Sequence, residues 1–350
     1  MMAIATQQTP ARGARSTLRR TVLICLALLA TLFLVIVAAS VTGAERLPIA
    51  SSFCALFTGG SSTCGLTEEQ SAILFGIRLP RILLAASVGA SLATAGAGYQ
   101  ALLRNPLAEP YLLGISNGAA VGTMVALVFF GTNQSSEWMR PVMAFAGALA
   151  STFVVYRLAR GRTGTSPEKL ILAGVIVTTF LSSAIVFITA MMDATRIRSF
   201  TFWLLGDLSG ASSSLLMVAI IAAIVGATVI ALHARSLNLL MLGERDAFDL
   251  GVEVERVRLV VFLAASLLVG ASVASSGSVG YVGLVVPHLV RLSIGSDNRT
   301  TIPAAALTGA LFVIVADTIA RTVIAPRELP VGAITALIGA PLFVYLLRKG

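Results

Sequence analysis

The sequence predicts an all-α polytopic membrane protein with ten transmembrane helices, an inverted internal repeat and both termini in the cytoplasm. Three observations lead there. Of the 350 residues, 57% are hydrophobic and only 12% are charged, and the mean hydropathy is +0.92. A soluble domain carries about 25% charged residues, so this chain lacks the polar surface to cover a globule of its size. Apolar runs of about 20 residues, the length that crosses a bilayer core, recur along the chain. The basic residues fall between those runs with a bias towards alternate intervals. The same composition excludes disorder, and three cysteines are too few for a disulfide scaffold. A net charge of +9 suggests nucleic acid, but the arginines stand singly between apolar runs rather than along one face, so no nucleic-acid partner is expected.

Residues 1–19 read as a basic cytoplasmic tail, and residues 20–350 as one ten-helix transmembrane domain. The first run, roughly 20–42, follows basic residues and precedes a faint cleavage-like site at Val41–Ala44. Its apolar stretch is longer than the usual 7–15 of a signal peptide, so it reads as a span. An extracytoplasmic loop over 44–80 holds Cys54 and Cys64. Ten residues apart in an oxidising compartment, they either form a disulfide or stay as thiols in a partly buried amphipathic loop. Cys25 reads as a small core residue. The next spans fall at roughly 82–103, 112–131, 141–159, 169–191 and 213–233. A cytoplasmic segment over 234–256 follows, with apolar Leu242, Ala247 and Leu250 among Glu244, Asp246 and Asp249. That pattern suggests two short helical turns broken by glycine. The segment is longer than an ordinary connector of 2–8 residues, so it reads as a docking surface or as a solvated loop. The last spans are roughly 257–275, 280–294, 303–321 and 331–347, the eighth being short and carrying Pro287.

With ten spans and cytoplasmic termini, seventeen basic residues fall inside and eight outside, while the acidic residues split evenly. The bias is therefore basic, as the positive-inside rule requires. Residues 88–96 and 269–277 share six of nine residues at an offset of 181, and Pro106 and Pro287 keep that offset. They lie five spans apart, so the copies are expected to run in opposite directions, as in transporters built from inverted repeats. Small residues also recur wherever membrane helices pack closely.

Some chemistry is missing. No phosphate-binding Gly-x-x-x-x-Gly-Lys-Ser/Thr loop exists, and the cluster Gly161–Ser166 lacks the lysine. The two histidines, His233 and His288, belong to no zinc-type spacing, so neither a metal site nor an enzyme is expected. An ion-driven carrier keeps ionisable groups deep in its spans. Here only Asp317 and His288 approach that description, and Asp317 lies one helical turn before Arg321, on the same face.

Certain motifs then become recognisable. Arg78-Leu79-Pro80-Arg81 is followed by the run Gln100–Gly114, with Asn105-Pro106-Leu107-Ala108-Glu109-Pro110 at its centre. Leu242-Gly243-Glu244, Gly283–His288 and Glu328–Gly332 come later, in that order. From about residue 70 onward the chain strongly resembles the FecCD-type permeases, the membrane subunits of type II ABC importers for iron-siderophores, haem and vitamin B12. The resemblance implies a permease without its own ATPase site, in a bacterial inner membrane, as a homodimer or a heterodimer with a similar chain. It implies two separate ATPase subunits, which hold ATP and its magnesium ion, and an extracytoplasmic substrate-binding protein. The cargo it implies is a metal chelate, with iron-siderophore first and vitamin B12 or haem close behind.

The resemblance also implies residue roles. Arg78, Arg81 and Arg321 match extracytoplasmic arginines that receive acidic side chains of the binding protein, a task suited to the planar guanidinium fork. Leu242, Gly243, Glu244, Ala247 and Gly251 match the helices that couple to the ATPase. Thr165 and Ser166 match the region that narrows the cytoplasmic exit, although Pro167-Glu168-Lys169 lengthens that link. Asn105, Pro106, Pro287 and His288 are structural signatures, each pre-proline pair expected to mark a break or kink. Two other readings remain at this point, an ion-gradient-driven secondary transporter and a structural membrane protein.

Overall fold

The structure, a computed structural model, describes residues 11–43, 45, 47–58, 64–130, 138–161 and 164–349. Arg46, Arg162 and Thr163, counted among the flanking charges or the glycine cluster, lie outside the described residues, as do residues 1–10 of the basic tail.

The chain is built of helices: α1 Ala11–Val41, α2 Ile49–Thr58, α3 Glu68–Ser71, α4 Leu79–Leu102, α5 Ile115–Phe130, α6 Met139–Ala159, α7 Pro167–Ala190, α8 Ala194–Leu204, α9 Ser213–Leu232, α10 Ala234–Leu242, α11 Glu244–Asp249, α12 Val254–Ser276, α13 Val282–Ile294, α14 Asn298–Thr322 and α15 Val331–Lys349. Arg160–Gly161 (β1) pairs antiparallel with Gly164–Thr165 (β2). Among the described residues, seven stretches are long and apolar enough to cross a membrane: 17–41, 68–102, 139–159, 167–190, 213–232, 254–276 and 298–322. The third, eighth and tenth expected spans coincide with shorter apolar helices over 115–130, 282–294 and 331–346.

Two expected boundaries move. Residues 11–19, read as tail, already belong to α1, because nothing in Ala11–Arg19 breaks a helix. The end of the expected 44–80 loop is helical as well. Thr67 and Gln70 close a capping box at 3.2 Å in each direction, starting the helix well before residue 82. A π-helical turn over Ala72–Arg78 leads directly into α4. Pro80, which lacks an N–H, falls in the first turn after it, where it is tolerated.

The core is built around α4, whose small residues are buried almost throughout. It packs against α9, α12, α13 and α14. A Cβ on Gly89 would strike the Gly309 backbone of α14, and one on Gly96 the Gly283 backbone of α13. Such close approaches require small residues. The outer surface is inverted relative to a soluble protein: Leu26, Phe33, Phe180, Phe187 and Met217 are exposed, as a lipid-facing surface requires.

The matched segments 88–96 and 269–277 occupy unlike places. The first lies in the middle of α4; the second ends α12, with Gly277 capping it at φ +66°. Pro106 lies in the loop after α4, whereas Pro287 lies inside α13. The two prolines therefore do not lie in equivalent secondary structure. Of the break or kink expected at Pro287, no break occurs: α13 continues through it. The Gly283 carbonyl, which an N–H at position 287 would have paired, instead accepts from Gln100 Nε2 at 3.3 Å.

Candidate functional site

The predicted residues gather at the two ends of α4, a helix about 36 Å long at 1.5 Å per residue. Arg78 and Arg81 stand at its start, and Arg104 follows its end.

At the Arg81 end, none of the three predicted arginines is a free surface arm. Arg78, Arg81 and Arg321 are all buried. Arg81 Nε donates to Asp317 at 3.0 Å, and its Nη1 pairs with Glu328 at 2.7 Å. Arg321 pairs with the other oxygen of Asp317 at 3.2 Å, so one buried carboxylate holds α4 and α14 together. The remaining N–H groups finish α1, whose last carbonyls have no helical partner. Arg321 donates to Ala39 O at 3.2 Å, while Arg78 donates to Ser40 O at 3.0 Å, Val41 O at 3.2 Å and the Glu45 carbonyl. A cavity of about 190 Å³ opens here, lined by Glu45, Arg78, Arg81, Arg321 and Glu328. Nearby, Cys54 and Cys64 form a disulfide with Cα atoms 5.6 Å apart, tying α2 to the following loop.

At the Arg104 end, the predicted coupling segment forms α10 and α11, joined by Gly243 at φ +148°. Ala247 is fully buried, whereas Leu242 and Phe248 are about 68% and 70% exposed and turn apolar surface outward. Gly251, at φ +85°, turns the chain towards α12. α10 is fixed to the start of α14: Asn238 donates to Asp297 at 2.7 Å and accepts from the Asn298 N–H at 2.8 Å. Hydrogen bonding from Arg299, aided by Asn238, pulls the Asp297 carboxyl down to about 2.

Glu244 meets Arg104 at 3.4 Å and Arg258 at 2.6 Å. Arg258 also reaches Glu255 at 2.7 Å and the carbonyl of Thr165, a predicted exit residue. Ser166 serves as the N-cap of α7 and accepts from the Lys169 N–H at 3.4 Å. Asn105 forms a turn after α4, with its side chain accepting from the Leu107 N–H at 2.9 Å. A cavity of about 330 Å³ is lined by Gln100, Arg104, Asn105, Pro106, Met241, His288 and Arg291. His288 packs edge-on against Phe343.

The FecCD transport family matches residues 28–349. The chain belongs to the FecCD transport family. Over 284 residues it is 43% identical to the cobalamin import system permease protein BtuC of Halobacterium salinarum, covering 81% of this chain and 75% of that one. Over 279 residues it is 43% identical to the hemin transport system permease protein HmuU of Yersinia pestis, covering 79% and 83%. A solved chain, described as an inward-facing conformation of a metal-chelate type ABC transporter, superposes with a TM-score of 0.82. It is 30% identical and covers 93% of this chain and 99% of its own. This FecCD protein is therefore a multi-pass membrane permease subunit of a type II ABC importer.

The sequence reading of this FecCD chain missed Arg258, Glu255, Glu328, Asn238 and Asp297 as site residues. In the sequence Arg258 reads only as one of the seventeen inside charges. The signal was its place at the edge of an apolar span, three residues after Glu255, where a charge needs a partner.

Proposed function

We propose that this permease imports a metal chelate, driven by ATP hydrolysed on separate subunits. The family match over residues 28–349 carries this reading. The termini and the Arg104 end face the cytoplasm of a bacterial inner membrane, and ten spans cross it. Two copies of the chain enclose the path. The exposed Leu242 and Phe248 fit a cleft on an ATPase subunit, and a binding protein lands on the Arg81 end. Glu328, its side chain half exposed, sits on Arg81 where an incoming carboxylate would sit, so docking exchanges one acid for another. Relatives named for cobalamin and hemin support a metal–tetrapyrrole cargo; nothing in those names supports the iron-siderophore expected first.

The test uses vesicles carrying permease, ATPase and binding protein, offered labelled cobalamin, hemin and a ferric siderophore. The reading expects uptake of one of them that survives ionophores collapsing every ion gradient. Uptake lost with the gradient would instead identify a secondary transporter.

A further inference from the structure

We propose that Arg258 is a positioning residue that ties α11 to the β1–β2 hairpin, so that a push on the first reaches the second. This rests on the importer reading and adds to it the path by which the ATPase reaches the exit.

Arg258 is 2% exposed although it lies near the start of α12. Its two terminal nitrogens point to different parts of the chain. Nη2 donates to Glu244 of α11 at 2.6 Å. Nη1 donates to Glu255 at 2.7 Å and to the carbonyl and hydroxyl of Thr165. Glu255 completes the hairpin side, accepting the Thr165 N–H at 3.1 Å and its hydroxyl at 2.9 Å. A guanidinium is a rigid plane with donors fixed relative to one another, so movement at one nitrogen is passed to the other. A flexible ammonium would not do this.

The two tied elements are small. α11 has six residues, buries Ala247 and presents Phe248 outward, and Glu244 gives a load on Phe248 one route from this helix to Arg258. The hairpin has two residues in each strand. Gly164 is adapted to the link: it sits at φ +97°, and a Cβ there would lie 2.6 Å from Glu255 Oε1. The chain thus keeps a side chain out of the place where Glu255 seats.

Glu244 is the α11 side of the link. On the hairpin side Glu255→Gln leaves only the direct Arg258–Thr165 bonds, and a link in series is loosened when either side is weakened, with nothing added by weakening both. The assembled importer is reconstituted with Glu244→Gln, Glu255→Gln and the double variant, and uptake of whichever of cobalamin, hemin or a ferric siderophore the wild type transports is divided by ATP hydrolysed. Each single variant is expected to lower that ratio at least tenfold, with the double no lower than the worse single. Arg258→Gln is expected to match them; if it fails to assemble, the two carboxylate variants still decide. An unchanged ratio in either single variant overturns the proposal, even if thermal stability falls, because Arg258 would then be only structural. Losses that multiply in the double variant overturn it too. A wild-type importer showing no ATP-dependent uptake of cobalamin, hemin or the ferric siderophore overturns the importer reading itself, which separates the two failures.

Discussion

The two ends of α4 use opposite arrangements of the same chemistry. At the Arg81 end, the outer one in the proposed orientation, a buried acid, Asp317, sits at the centre with Arg81 and Arg321 around it. At the Arg104 end, the inner one in that orientation, a buried base, Arg258, sits at the centre with Glu244 and Glu255 around it. The outer centre joins two long helices of the core, α4 and α14. The inner centre joins a six-residue helix and a hairpin to one long helix. A charge cluster between long packed helices holds a frame. One between short peripheral elements leaves them free to move together. In the proposed function the outer end is a fixed landing surface and the inner end a working joint.

The largest expected effect comes from breaking the outer centre. Asp317→Ala leaves two guanidinium groups buried without their shared acid. Removing one partner of a buried pair costs about 3–5 kcal/mol, so thermal unfolding in detergent should show a severe loss or failure to accumulate. Glu255→Ala at the inner end removes a half-exposed carboxylate and should cost clearly less. Equal losses would erase the contrast between frame and joint.

Gly164→Ala comes next. A left-handed position costs an L-residue about 1–2 kcal/mol, and the new methyl displaces Glu255. Stability should fall by about that amount, and uptake per ATP should fall further than the stability loss explains.

Glu328→Gln sharpens the outer end. It weakens the internal acid on Arg81 without touching Asp317. Affinity for the binding protein should rise several-fold, about 1 kcal/mol, and more steeply at low salt because the contact is charged. Titration of the binding protein onto immobilised permease measures this. Weaker binding would mean that Glu328 itself contacts the partner.

The smallest effect concerns pH. Asp297 has its carboxyl lowered in the folded state to about 2. A lowered carboxyl stabilises fully above its ordinary value of about 3.9, and that contribution disappears as pH falls through about 2. The melting difference between wild type and Asp297→Asn should be constant from pH 7 to about 5 and shrink only below 4.

Much of the fold was legible because crossing a bilayer imposes length and apolarity, which a sequence displays directly. The helix starts at 11 and 68 were not. The first depended on ordinary helix propensity outside the apolar run, the second on a capping box and π-turn ahead of Pro80. The arginines of the outer end were legible as residues, but their burial was not, since Ala39, Ser40 and Glu328 reach them only through folding. Arg258 was hidden for the same reason: apart from Glu255, its partners lie 14 and 93 residues away. Pro287 misled, because the residue that makes it tolerable, Gln100, lies on another helix.

The central claim is that this chain moves its cargo only when partner subunits hydrolyse ATP. The direct measurement is uptake of the transported chelate into vesicles holding the complete assembly, with active ATPase subunits or with subunits that bind ATP but cannot cleave it. The account predicts sustained uptake in the first case and none beyond a single turnover in the second. Continued multiple-turnover uptake with the inactive subunits would contradict it.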